Sequence, residues 1–280
     1  MAETTKAFVI GHPIAHSRSP LIHGYWLESH GISGTYERID IAPDDLERFI
    51  RNLPESGFVG GNVTIPHKEE TCRLVDRLDE AARAIGAVNT LWLDGGAICG
   101  GNTDATGFAA DLDVHASSWR SAKSALVLGA GGASRAILHA LTTAGIADIR
   151  LVNRTFARAE EVSERFGTGI QAHHWQDVND LASTSDLVVN TTSVGLNGQG
   201  EMPLDVAQLP ANATVVDIVY TPLQTPLLAA AAKRGLKTVD GLGMLLHQAV
   251  PGFERWFGVR PQVTDRLRGI IVADIEGARS

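Results

Sequence analysis

The 280-residue chain is poor in cysteine, in long apolar runs and in excess positive charge. Each shortage excludes a class of protein. Its two cysteines, Cys72 and Cys99, form neither a C-x-x-C pair nor a Cys/His zinc pattern. That argues against a disulfide scaffold and for a reducing compartment. Stretches such as Leu227–Ala232 are far too short to span a bilayer, and Met1–Lys6 lacks the pattern of a signal peptide. Formal net charge is −8, against the basic face that a nucleic acid or anionic membrane requires, though a few local cations suffice for a small anion. There is no internal repeat, low-complexity segment or linker-like composition. The expectation is a cytoplasmic protein with a small-molecule partner, acting as a monomer or homodimer.

What is present is an ordinary globular composition, 44% hydrophobic and 20% charged, with mean hydropathy near zero. The 29 glycines exceed the usual share of ~7%, and many form Gly-Gly pairs between apolar runs, as tight turns require.

Strands and helices alternate along the chain. Ala7–Gly11 is a short apolar strand, and Thr35–Ile41 alternates like a half-buried one. Asp44–Asn52 reads as a helix with Asp44 or Asp45 near its cap. Gly60–Ile65 reads as a strand stopped by Pro66, and His67–Ala84 as one amphipathic helix. Asn89–Leu93 and Ala97–Gly100, joined at Asp94-Gly95-Gly96, read as a hairpin. From Ala125 the pattern changes to short continuous apolar strands (Ala125–Leu128, Ile149–Val152, Leu187–Val189, Val215–Val219) separated by helices (Ala133–Ala144, Phe156–Phe166, Pro226–Arg234). That is the signature of a parallel sheet covered on both faces. Helical segments Met244–Phe257 and Thr264–Ala278 close the chain.

Gly129-Ala130-Gly131-Gly132-Ala133-Ser134 lies between a predicted strand and a predicted helix, the context a dinucleotide fingerprint needs. The first glycine permits the turn, the second lets a pyrophosphate approach, and the helix start offers free N–H groups. Ser134 departs from the strict pattern. The next strand ends in Asn153-Arg154-Thr155 with Arg158 beyond, and no acid stands at its tip. Arg154 and Arg158, spaced to share one helix face, suit a ribose 2′-phosphate and favour NADP over NAD.

Polar clusters punctuate the first hundred residues: His16-Ser17-Arg18-Ser19-Pro20 with His23, Asn62-Val63-Thr64-Ile65-Pro66-His67-Lys68, Ala87-Val88-Asn89-Thr90, and Gly101-Asn102-Thr103-Asp104. Ser17 and Ser19 can grip a carboxylate or merely cap a helix. Asn62 and Thr64 are placed on one strand face. Lys68 and Asp104 can form an acid/base pair, since a carboxylate fixes an ammonium and partial desolvation tunes it, although a lone lysine there also reads as a solvated surface residue. His12, His16 and His23 match no metal-ligand spacing and have no carboxylate cluster beside them, so no metal is expected. His173 and His174 read as exposed strand-end residues.

Taken in order, HSRSPxxH, NVTIPHK, AVNT, GNTDxxG, GAGGASRA, NRT, NTTSVG, DIVYTP and GLGMLxxQ resemble shikimate dehydrogenase from Gly11 to Gln248. The departures are Thr191 in place of a small residue and Leu196 in place of a common methionine.

The resemblance implies an α/β substrate domain (1–105), a Rossmann NADP domain (106–241) and a helical return (242–280) to the first. It implies NADPH-dependent reduction of 3-dehydroshikimate to shikimate, in aromatic amino-acid biosynthesis, in a cleft that closes between the domains. Ser17 and Ser19 would bind the carboxylate; Thr64, Asn89, Asp104 and Gln248 the ring hydroxyls; Asn62 and Tyr220 would line the pocket. Lys68 and Asp104 would be catalytic. Gly129, Ala130, Gly131, Gly132 and Ala133 would meet the pyrophosphate, and Asn153, Arg154, Thr155 and Arg158 the 2′-phosphate. Thr192, Ser193, Val219, Gly241 and Met244 would line the nicotinamide end. Quinate-active relatives often carry threonine near the second serine and an acid at the strand tip, which leaves quinate or an amino-shikimate analogue as the alternative substrate.

Overall fold

The computed structural model describes residues 4–167, 169–200 and 202–277. They fall into two compact units, one containing the chain up to Thr103 and from Leu246 onward, the other Asp104–Leu245.

In the first unit, β1 (Thr5–Gly11), α1 (Ser19–Ser29), β2 (Gly34–Asp40), α2 (Leu46–Arg51) and β3 (Gly60–Val63) are followed by α3 (Lys68–Leu74), β4 (Arg77–Leu78) and α4 (Glu80–Ile85). The hairpin β5 (Thr90–Asp94) and β6 (Ala97–Gly101) completes the sheet, whose order is β2-β1-β3-β5-β6-β4. The sheet is mixed: β1 is parallel to β2 and β3, whereas β5 is antiparallel to β3 and β6. Gly95 and Gly96 both have positive φ (58° and 84°), as a two-residue turn matching strand twist requires. The apolar run of β1 serves two faces. Phe8 and Ile10 join Leu46, Ile50, Val63 and Leu91 in one core, and Ala7 and Val9 meet Tyr36 and Trp256 in the other.

Three sequence expectations are corrected here. His67–Ala84 is two short helices with a strand between. Val75 turns extended after α3, the Asp76 carboxylate accepts from Ile98 N at 2.8 Å, and Asp79 accepts from Ala82 N at 2.6 Å to start α4. These side chains compete successfully with helix continuation. Strand β3 stops at Val63, so Thr64 does not share a strand face with Asn62; Thr64 O instead accepts from His67 N in a tight turn. Asp44–Asn52 begins with a 3₁₀ turn at Pro43–Asp45, and Asp45 stands at the cap of α2 without a side-chain cap bond.

In the second unit, α5 (Asp104–His115) precedes β7 (Ser124–Leu128), α6 (Gly132–Thr143), β8 (Asp148–Asn153), α7 (Phe156–Phe166), β9 (Ile170–His174), α8 (Val178–Ala182), β10 (Leu187–Asn190), β11 (Thr214–Asp217), α9 (Pro226–Lys233) and β12 (Lys237–Val239). The order β12-β11-β10-β7-β8-β9 is parallel throughout. This is the doubly wound arrangement in which the chain reverses direction beside its first strand, and ligands gather at the carboxyl ends there. Leu126, Leu128, Val152, Val188 and Val215 pack with Leu227 and Leu228 of α9 as a hydrophobic core. Strand β11 ends at Asp217, two residues before the expected Val219.

The division of the chain falls within α10 (Leu242–Phe257); α11 (Asp265–Gly277) follows, and Ala278 lies outside the described residues. The helical return is held to α1 by Trp26 Nε1 donating to Gln262 O at 3.1 Å and by the Arg18–Asp274 ion pair at 2.9 Å.

Candidate active site

In the first unit the substrate-side residues form a hydrogen-bonded frame. Tyr36 Oη donates to Asn62 Oδ1 at 2.6 Å, and Asn62 Nδ2 donates to Asn89 O at 3.0 Å. Asn89 Oδ1 accepts from Thr103 N and Thr90 Oγ1, both at 2.9 Å. Asn89 Nδ2 donates to Thr103 Oγ1 at 3.0 Å and lies 3.4 Å from Gln248 Oε1. Asn62, Asn89 and Gln248 are all buried. Buried amides are held this firmly because an unmatched one is expensive. The structure therefore brings Asn62, Asn89 and Gln248 together. Thr90, Thr103 and Tyr36 complete the frame, and sequence reasoning gave them no role. Thr64 sits in the turn after β3, and Lys68 opens α3, its backbone oxygen accepting from Val88 N at 2.8 Å.

Ser17 and Ser19 flank the start of α1. The cap position is Arg18, without a side-chain cap bond, and Ser17 Oγ accepts from Ser19 N at 3.4 Å at the start of the helix. Behind them lies His23, wholly buried, its ring stacked 4.0 Å from Tyr36. Neither ring nitrogen makes a well-formed hydrogen bond among the described residues. Burial lowers its pKa to about 3, an effect that the nearby Asn62 side chain offsets only in part. His12 instead bonds Asp40 at the surface, at 2.6 Å. Among the described residues no group of three or more His, Cys, Asp or Glu side chains is arranged to hold a metal ion.

In the second unit, Gly129 has φ +102°, and a Cβ there would lie 2.8 Å from Thr192 Cγ2. A Cβ on Gly131 or Gly132 would meet nothing within 4 Å, so no intramolecular crowding requires glycine at either position. A bare backbone facing open space, at the start of a helix with no side-chain cap, fits a pyrophosphate. Ser134, where the strict pattern has glycine, is buried and donates to Gly131 O at 2.6 Å, which explains the departure. Thr191 Oγ1 lies 2.8 Å from Leu128 O and 3.1 Å from Gly129 O, pinning the glycine turn to the end of β10. Asn153 Oδ1 accepts from Ala130 N at 3.1 Å, tying that turn to β8.

Arg154 and Arg158 do not share a helix face as the spacing implied. Thr155 is the cap of α7, so Arg154 precedes the helix and only Arg158 lies in its first turn. Both are exposed, and neither forms an ion pair among the described residues. Together with an uncapped helix start they fit a phosphate monoester. His173 is only half-buried, and its Nε2 is buried without a partner among the described residues, contrary to the expectation of an exposed pair; His174 is exposed and stacks on Phe156 at 4.1 Å.

Toward the other half of this sheet, Thr192, Ser193, Val219, Tyr220, Gly241 and Met244 lie in the segments following β10, β11 and β12. A Cβ on Gly241 would lie 2.1 Å from Ile218 O, so only glycine fits there. Sequence reasoning missed Asn190, Asp217 and Thr225, which organise these segments. A charged residue closing the apolar run Thr214–Asp217 was the available signal, since a buried charge demands partners. Asp104 begins α5.

A doubly wound parallel sheet with a glycine cradle after its first strand and arginines after its second defines a dinucleotide-binding oxidoreductase class. Comparison with known proteins narrows this. Residues 9–91 match the shikimate dehydrogenase substrate-binding domain, 114–220 the shikimate/quinate 5-dehydrogenase domain and 241–265 the shikimate 5′-dehydrogenase C-terminal domain. The chain is 61% identical, over all of both chains, to a shikimate dehydrogenase (NADP(+)) of Chelativorans sp.. Among solved structures it resembles Thermus thermophilus shikimate 5-dehydrogenase in complex with NADP(H) and shikimate (TM-score 0.83, 36% identity, 99% of each chain). It also resembles Corynebacterium glutamicum quinate dehydrogenase in complex with NAD (TM-score 0.89, 30% identity, 96% of this chain and 99% of that one). The chain belongs to the shikimate dehydrogenase family.

Proposed function

We propose that this chain catalyses the reversible NADP-dependent reduction of 3-dehydroshikimate to shikimate. The observation that carries this reading is the 61% identity, end to end, with a shikimate dehydrogenase (NADP(+)). The exposed Arg154 and Arg158 support the phosphorylated cofactor. Residues 1–105 with 242–280 serve the substrate and 106–241 the cofactor, in a cytoplasmic monomer or homodimer that takes neither nucleic acid nor membrane as partner. Among the described residues no helix is long and apolar enough to cross a membrane.

Ser17 and Ser19 bind the ring carboxylate through their hydroxyls; Ser17 Oγ accepts from Ser19 N, which leaves its O–H free to donate. Thr64, Asn89, Asp104 and Gln248 receive the ring hydroxyls, while Asn62 and Tyr220 line the pocket. Gly129, Ala130, Gly131, Gly132 and Ala133 hold the pyrophosphate by backbone approach. Asn153, Arg154, Thr155 and Arg158 hold the 2′-phosphate, and Thr192, Ser193, Val219, Gly241 and Met244 line the nicotinamide end. NADPH supplies a hydride when bound. Lys68 protonates the oxygen that becomes alkoxide, and its charge stabilises that oxygen as it forms; Asp104 orients the ammonium and the hydroxyl. In the oxidative direction Lys68 receives the proton.

Initial rates of NADP⁺ and NAD⁺ reduction with shikimate and with quinate test the reading. The expected result is fastest turnover with shikimate and NADP⁺. Faster turnover with quinate, or with NAD⁺, rejects the substrate or the cofactor assignment respectively.

A further inference from the structure

Asp217 closes β11 with no exposed surface, yet carries a carboxylate. Three donors converge on it from three segments. Asn190 Nδ2, at the end of β10, reaches Oδ1 at 2.9 Å; Val219 N reaches the same oxygen at 3.1 Å; Thr225 Oγ1, the cap of α9, reaches Oδ2 at 2.7 Å.

Each donor is itself committed to a loop. Asn190 uses its second amide hydrogen on Val194 O at 3.1 Å, and its oxygen accepts from Thr192 N at 3.0 Å and Thr192 Oγ1 at 2.7 Å. Thr225 accepts from Leu228 N at 3.3 Å. Gly195, in the same loop as Thr192, has φ +94° and lies beside Thr225, whose Cβ would be in ordinary contact, 3.4 Å, with a Cβ there. The carboxylate thus joins the Thr192–Gly195 loop, the Val219–Tyr220 loop and the start of α9. An aliphatic residue would fill the space but leave three buried donors unmatched.

We propose that Asp217 is a positioning residue for the hydride-transfer end of the site, fixing Thr192 and Ser193 against Val219 and Tyr220 without touching substrate or cofactor. The proposal rests on the assignment of those four residues to the nicotinamide and the ring acid.

The test uses the full chain carrying Asp217→Ala or Asp217→Asn, with kcat for shikimate oxidation and two binding constants. One is for NADP⁺; the other is for adenosine 2′,5′-bisphosphate, which carries only the adenosine 2′-phosphate half. We expect Asp217→Ala to lower kcat at least about tenfold and weaken NADP⁺, while adenosine 2′,5′-bisphosphate binds within about twofold of the parent. Asp217→Asn, which keeps acceptors for Val219 and Asn190, should recover most of kcat. Equal weakening of both ligands would mean general disruption of the sheet, and unchanged kcat and NADP⁺ affinity would mean no positioning role; either result overturns the proposal. If Asp217→Ala does not fold, Thr225→Val removes one donor and carries the same comparison with a smaller fall. If the parent does not oxidise shikimate, the substrate reading alone fails. The ratio of NADP⁺ to bisphosphate affinity then decides the positioning role, and an unchanged ratio overturns it.

Discussion

Thr103 Oγ1 donates to the backbone oxygen of Gln248 at 2.8 Å, bridging 145 positions of sequence. The same hydroxyl accepts from Asn89 Nδ2 at 3.0 Å. One threonine therefore holds the Asn89 side-chain amide and the main chain of Gln248, two residues that the proposed mechanism assigns to ring hydroxyls. Thr103→Val keeps the shape and removes both bonds. The shikimate KM should rise about tenfold, equivalent to about 1.4 kcal/mol, with the NADP⁺ KM unchanged within about twofold. Steady-state kinetics with each ligand varied in turn measures this; a selective loss of NADP⁺ affinity would contradict it.

Arg154 and Arg158 should discriminate the cofactor. A charge-assisted contact to phosphate contributes roughly 1.5–3 kcal/mol. Replacing either by alanine should raise the NADP⁺ KM roughly 10–150-fold and leave kcat/KM for NAD⁺ within about twofold. Comparable losses with both cofactors would place the arginines elsewhere in function.

How much of this was legible beforehand differs by element. The parallel sheet, the glycine turn and the NADP preference were readable because strand, turn and helix are contiguous, and their periodicity is a local property. The frame around Asn89 was not, since Tyr36, Thr103 and Gln248 meet only through tertiary contacts. Helix α5 escaped notice because its buried residues are small or mixed, among them Ala105, Gly107 and Asp111. The segment His67–Ala84 misled for the opposite reason. Its composition is helical throughout, and only the Asp76 and Asp79 side-chain bonds, one of them to a distant strand, reveal the break.

His23 makes the native state acid-sensitive. Its pKa is about 3 in the fold, against about 6.5 in the unfolded chain. Between those values the unfolded chain binds the extra proton, so stability falls as pH drops below about 6.5, by up to about 1.4 kcal/mol per unit. Urea midpoints across this window should show the slope, and His23→Phe should flatten it. An unchanged slope would show that His23 is not the titrating group.

Asp217 acts with the opposite sign. Burial raises its carboxyl from 3.8 to about 6, although its three hydrogen bonds pull it down. The folded state then binds more protons between those values. Its contribution is full below about pH 4 and is lost as pH rises through about 6, an effect on the order of 3 kcal/mol. The stability difference between parent and Asp217→Asn should therefore move in the parent's favour on acidification from pH 7 to 5. A constant difference would contradict the raised value.

The decisive measurement is NADPH formation from shikimate and NADP⁺ by the parent and by Lys68→Ala, with NADP⁺ binding measured separately on each. The parent should turn over, and the variant should lose roughly 10²–10⁴-fold in kcat while binding NADP⁺ within about twofold, as removal of a general acid/base predicts. A variant as fast as the parent would remove Lys68 from the chemistry, and a parent inert toward shikimate would contradict the assigned reaction.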